Sequence, residues 1–195
     1  MPRRRRQLSP TGVYHWINRG VNQKRIFHKK EDYSAFFKLL KDHKEELNIL
    51  IFHYCLMTNH IHMLLQAQNL EDLAKFSYYI QRRYAYYYCK THGWKGQVFQ
   101  RMYRSLPVAK DTYLLECGRY IERNPLRAGM VQNVAEYVYS SFSFYANGSK
   151  NDLLTPSPAY LGLSNDVKER QKLYQKYVLE NRIYEELVDK ALLTG

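Results

Sequence analysis

Asn48-Ile-Leu-Ile-Phe-His-Tyr-Cys-Leu-Met57, then Thr58-Asn59, then His60-Ile-His-Met-Leu-Leu-Gln-Ala-Gln68 reads as two adjacent β-strands joined by a tight turn. The first run is almost continuously apolar, which is the pattern of a strand covered on both faces and expected at the centre of a sheet. In the second, His60 and His62 are spaced i, i+2 and therefore point to one face. Two neighbouring buried imidazoles each need a hydrogen-bond partner, and one shared metal ion satisfies both. His53, on the preceding strand, lacks such a pair and reads as structural.

Working outward, Thr11 to Asn18 alternates around Val13, His15 and Ile17 and is predicted to be a strand closed by the turn-like Asn18-Arg-Gly20. Glu31 to Glu46 carries Tyr33, Phe36, Phe37, Leu40 and His43 at helical intervals, and Leu70 to about Lys90 does the same with Leu70, Leu73, Phe76, Ile80, Tyr84 and Tyr87. Val98 to Pro107 looks extended. Lys110 to Asn124 looks helical, with Pro125 expected to end it. Strand, helix, two strands, helix, strand, helix predicts an α+β fold: an antiparallel sheet with packed helices, of the ferredoxin-like or RNA-recognition type. Residues 1–10 form a basic arm and 11–147 the main domain. Residues 148–195 form an extension, irregular from Asn151 to Ser164, helical from Asp166, with a break near Asn181 and a further run toward Leu193.

Thirty Lys and Arg against eighteen Asp and Glu give a net charge of +12, and 45% hydrophobic content is enough for a real core. From Asn151 onward there are seven acidic and six basic residues, so the first 150 carry +13. A polyanion, if bound, is held by that front portion. No apolar stretch reaches the length of a spanning helix, and Met1 to Arg6 is not followed by a signal-peptide core, so the cytoplasm, with no membrane partner, is the expected location. Cys55, Cys89 and Cys117 are odd in number and widely spaced, which suggests neither a disulfide framework nor a thiolate zinc site.

Tyr120-Ile-Glu-Arg-Asn124 places a phenol and an amide oxygen at i, i+4 on one helical face. A divalent Mg²⁺ or Mn²⁺ held by His60, His62 and Asn124 would polarise a phosphodiester, and Tyr120 beside it would attack phosphorus. Asn before Pro is also a natural helix terminator, and both roles can coexist in Asn124. Tyr120 is one of nineteen tyrosines, so position alone singles it out. Tyr113 shares the face but lies roughly 16 Å from Asn124 at 1.5 Å per residue. Arg119 and Arg123 are expected to supply the positive charge that an attacking phenol needs.

Tyr78, Tyr79, Tyr84, Tyr86, Tyr87 and Tyr88 cluster around Arg82 and Arg83, and helical periodicity leaves Tyr86 and the two arginines facing a ligand. Candidate phosphate contacts elsewhere are Arg3, Arg4, Arg5 and Arg6 in the arm, and Arg19, Arg25, Arg101, Arg104 and Arg127.

Taken in order, these pieces resemble the HUH single-tyrosine transposases of the IS200-like type, and among them the REP-associated tyrosine transposases. The resemblance is carried by Tyr14-His-Trp-Ile-Asn-Arg-Gly20, Arg25-Ile-Phe27, Asp32-Tyr33, Met57-Thr-Asn-His-Ile-His-Met-Leu-Leu65, Val98-Phe-Gln-Arg-Met-Tyr-Arg-Ser105, Tyr113-Leu-Leu115 and Tyr120-Ile-Glu-Arg-Asn-Pro-Leu-Arg-Ala-Gly-Met-Val131. It implies a metal site at His60, His62 and Asn124, and Tyr120 as nucleophile. It further implies cleavage of single-stranded DNA next to hairpins such as REP-type repeats, with the 5′ end kept on tyrosine, in a bacterial, nucleoid-associated protein that is a monomer or homodimer. Mobile relatives typically carry Gln at the position of Asn124, which places the chain nearer the domesticated branch. Thr58 stands where many relatives have Pro. The residues also leave open a catalytically inactive module of the same fold that binds structured DNA or RNA, and a phosphodiesterase that activates water.

Overall fold

The computed structural model describes residues 7–100, 102–108 and 111–180. Arg3 to Arg6, Arg101 and the helical run expected toward Leu193 lie outside the described residues. The elements begin with β1 (Val13–Arg19), α1 (Lys30–Glu46), β2 (Leu50–Leu56), β3 (His60–Gln66), α2 (Leu70–His92) and β4 (Arg104–Pro107). They continue with α3 (Asp111–Arg127), α4 (Phe142–Asn147), α5 (Pro158–Leu161) and α6 (Val167–Leu179). The sheet is antiparallel in the order β2-β3-β1-β4, the order of a ferredoxin-like β-α-β-β-α-β unit. The expected α+β architecture is therefore the observed one.

Strand alternation sorts the core into two layers. Tyr14, Trp16, Ile61, Met63 and Leu65 face one way and pack with Phe36 and Leu40 of α1 and Leu73, Phe76 and Ile80 of α2. Val13 and Leu64 face the other way and pack with Leu114, Cys117, Tyr120 and Ile121 of α3. Helices on both faces explain why β1 is buried at all but its last residue. One polar chain enters this core fully paired: Trp16 Nε1 donates to Ser77 Oγ at 2.8 Å, and that hydroxyl donates to Leu73 O at 2.6 Å.

Three expectations need correction. The apolar strand β2 lies at the sheet edge, not its centre. It is buried because later segments pair along its free side: Leu56 N donates to Tyr139 O, Ser141 N to Tyr54 O, and Thr155 N to Ile51 O. A covered edge and a central strand select the same apolar composition. Pro125 does not end α3, which runs on to Arg127. Its stop is instead a Schellman turn at Gly129 (φ +67°), with Met130 N bonded to Pro125 O at 2.9 Å and Gly129 N to Leu126 O at 3.0 Å. The stretch expected to be irregular before Ser164 contains α5, with Pro158 at its first turn and Ser157 Oγ accepting from Tyr160 N.

Gly118 is what lets α3 lie so close to β2. A Cβ there would stand 2.7 Å from the Cε1 and Nε2 atoms of His53. Gly118→Ala is expected to destabilise by about 1–3 kcal/mol through overpacking, against the ~1 kcal/mol that Ala gains over Gly in a helix. Urea unfolding checks the sign, since a more stable variant would mean that the ring moves aside freely.

Candidate active site

The strand register decides which side chains meet. Ile17 lies opposite His62 and Arg19 opposite His60, so His15 is diagonal to His62 on the face that α3 covers. The His15 and His62 rings stand 5.1 Å apart, and His15 Nε2 is hydrogen-bonded to His62 Nδ1 at 2.9 Å. The His60 ring is 5.0 Å from that of His62. Tyr120 closes the face from α3, its ring meeting His15 edge-on at 5.8 Å and His62 at 5.9 Å. Residues about a hundred positions apart in the chain thus form one group.

Asn124 lies one helical turn beyond Tyr120, and its amide has a local task. Pro125 has no N–H to give to Ile121 O, and Asn124 Nδ2 donates to Tyr120 O at 2.8 Å and to Ile121 O at 3.4 Å. With the nitrogen so engaged, Oδ1 is the amide atom left to serve as a ligand. Among the described residues no three His, Cys, Asp or Glu side chains form a metal-binding group.

Burial keeps the three rings neutral. It lowers His15 from 6.5 to about 3, and burial with the nearby Arg19 charge lowers His60 to about 4. His62 is driven well down by burial, then by His15, His60, Arg19 and Arg127. Neutral imidazole is the form that binds metal. The sign for stability follows by linkage. Above pH 6.5 neither state takes up these protons, whereas below it the unfolded chain binds protons that the native state refuses. The metal-free protein is therefore expected to lose stability, on the order of a few kcal/mol, as pH falls from about 6.5 toward 4. Urea midpoints measured across that window in chelator test this, and a flat profile would contradict it.

The structure divides the other expected contacts. Arg127 does join the site, its guanidinium carbon 5.1 Å from the Tyr120 ring centroid. Arg119 and Arg123, expected to lend charge to Tyr120, are held by hydrogen bonds to another helix. They are buried on another side of α3, where Arg119 donates to Tyr177 O and Glu180 O, and Arg123 donates to Val178 O at 2.9 Å. They cap the C-terminal carbonyls of α6, where cations suit the helix dipole. Arg19 and Arg25 are exposed and Arg104 is half-buried. Arg82, Arg83 and Tyr86 are exposed on α2, which packs on the opposite sheet face from Tyr120. With Leu39 and Tyr79 they line a groove of about 500 Å³. Tyr84 and Tyr87 turn inward, bonding Ile26 O and Asp32 Oδ1.

His15 is the residue that sequence reading passed over, since its place between Val13 and Ile17 marks it only as an inward strand position. His53 is structural, as expected: its Nδ1 is 3.0 Å from Glu122 Oε1, and both side chains are fully buried.

A family model described as transposase, IS200-like, matches residues 10–124. A solved REP-associated tyrosine transposase bound to a REP hairpin superposes with a TM-score of 0.65 at 15% identity, over 82% of this chain and 93% of that one. A crystal structure from Deinococcus radiodurans R1, described as a transposase, aligns at 22% identity over 63% of this chain and 97% of that one, with a TM-score of 0.43. No curated protein matches the chain.

Proposed function

The chain belongs to the IS200-like transposase family, and from that premise we propose that it is a metal-dependent endonuclease and strand transferase for single-stranded DNA, acting beside hairpins through Tyr120. The observation that carries this reading is the Tyr120 ring set against the His15 and His62 rings on one sheet face. The REP-associated branch is favoured by Asn124 and by the fold shared with a relative that binds a REP hairpin.

The Tyr120 oxygen attacks phosphorus, forming a Tyr–O–P bond as the P–O3′ bond breaks. The net proton passes from the phenol to the leaving oxygen, which departs as a 3′ hydroxyl. The 5′ phosphate stays on Tyr120, and attack by a 3′ hydroxyl reverses the step with no nucleotide cofactor. His60, His62 and Asn124 would hold Mg²⁺ or Mn²⁺, which supplies Lewis-acid polarisation of the phosphate when bound. Two neutral imidazoles and an amide oxygen suit such an ion. A phenol attacks best as phenolate, and Arg127 is the cation placed beside it. Tyr120 itself is only 3% exposed. Substrate must therefore part the cover over it, and Arg127, exposed at the end of α3, stands where a phosphate brought to Tyr120 would meet it.

The test is incubation with Mn²⁺ and labelled single-stranded hairpins from repeats flanking its own gene, followed by a denaturing gel. A slow-migrating adduct that chelator prevents supports the reading. Tight, fully reversible hairpin binding without cleavage would identify a binding module instead. Binding that barely weakens as salt rises would remove the basic arginines from the argument.

A further inference from the structure

Asn59 settles one half of the histidine pair. Its Nδ2 donates to Gln23 O at 3.2 Å, which turns Oδ1 toward His60 Nδ1 at 2.6 Å. A carboxamide oxygen only accepts, so His60 carries its proton on Nδ1 and presents a lone pair on Nε2. His62 has a partner of another kind. Its Nδ1 faces a second imidazole nitrogen, His15 Nε2, at 2.9 Å, with His15 2% and His62 4% exposed. One proton lies between them, and two arrangements satisfy the bond. If His62 Nδ1–H donates, His62 Nε2 keeps its lone pair. If His15 Nε2–H donates, the His62 proton sits on Nε2 and that nitrogen ceases to be a ligand.

We propose that His15 is a positioning residue: it accepts the His62 Nδ1 proton and so holds His62 in the same tautomer as His60, with both Nε2 lone pairs on one sheet face. This rests on the reading of His60 and His62 as metal ligands. The strand pairing supports it, because Ile17 opposite His62 and Leu64 opposite His15 leave this diagonal pair as each other's cross-strand neighbours. An aliphatic residue at position 15 would pack there equally well, and only a hydrogen-bond acceptor orients the neighbouring ring. Outer partners of this kind fix ligand tautomer and raise metal affinity.

The test has two arms. Long-range proton–nitrogen NMR of the metal-free protein, labelled in histidine, reads the tautomer directly, and His62 protonated on Nδ1 is the expected result. Mn²⁺ titration followed by electron paramagnetic resonance is expected to show His15→Leu binding about 10- to 100-fold more weakly than the unsubstituted protein, with His15→Gln, whose amide oxygen accepts, recovering most of the loss. His62 protonated on Nε2, or a folded His15→Leu protein with unchanged Mn²⁺ affinity, would overturn the proposal. Should His15→Leu fail to fold, the NMR arm decides alone on the unsubstituted protein. If the unsubstituted protein binds no Mn²⁺, the ligand reading itself fails, a result distinct from a wrong tautomer.

Discussion

Tyr120→Phe is expected to abolish the covalent protein–DNA adduct and to lower cleavage by at least about 10³-fold, the scale on which loss of a nucleophile acts. Hairpin affinity should stay within a few-fold, and stability should change by about 1 kcal/mol, the net worth of a lost hydroxyl hydrogen bond. The ring is retained, and with it the edge contacts to His15 and His62. Tyr113 is the control, being 44% exposed and more than a helical turn short of the site, so Tyr113→Phe should cleave normally. Cleavage that survived Tyr120→Phe without an adduct would mean that water is the nucleophile. An adduct that survived would move the role to another tyrosine.

The second large effect is on folding. Glu122 sits on α3 between Tyr120 and Asn124, but faces away from them into a fully buried network. Its carboxyl group meets His53 Nδ1 at 3.0 Å and accepts from Ser141 Oγ at 2.6 Å and Tyr174 OH at 2.9 Å. One side chain thereby joins β2, α3, the start of α4 and α6. Glu122→Ala should destabilise by roughly 3–5 kcal/mol, the cost of breaking a buried polar pair by removing one partner. Glu122→Gln, which keeps the shape and one acceptor, should cost less. Denaturant unfolding measures both, and a Glu122→Ala loss below about 1 kcal/mol would show that the network contributes little. Because the same helix carries the site, a severe loss here is also expected to blunt DNA cleavage without any contact between Glu122 and substrate.

The order of elements was legible because hydrophobic periodicity reports local structure, and β1 through α2 match it closely. What periodicity does not report is which distant segment covers a strand. Ile51 to Leu56 is apolar whether it lies mid-sheet or is capped by Tyr139, Ser141 and Thr155. At the candidate site, spacing made legible that His60 and His62 share a strand face, which the 5.0 Å ring separation bears out, and that Tyr120 and Asn124 lie one turn apart on a helix. The destinations of Arg119 and Arg123 were not, because the carbonyls they bind belong to α6, more than fifty residues on. Pro125 misled for a different reason: Asn124 replaces part of the hydrogen bonding that proline removes, which sequence shows only as Asn before Pro. His15 needed the β1–β3 register to come into view.

The most direct measurement is to digest the denatured Mn²⁺-dependent adduct with nuclease and trypsin and locate the retained nucleotide by mass spectrometry. Arg119 and Arg123 bracket the peptide Tyr120-Ile-Glu-Arg123, whereas Tyr113 falls in Asp111 to Arg119. A phosphonucleotide on the Tyr120 peptide is the result expected. Its presence on the Tyr113 peptide, or cleaved DNA with no modified peptide at all, would contradict the assignment of Tyr120 as the nucleophile.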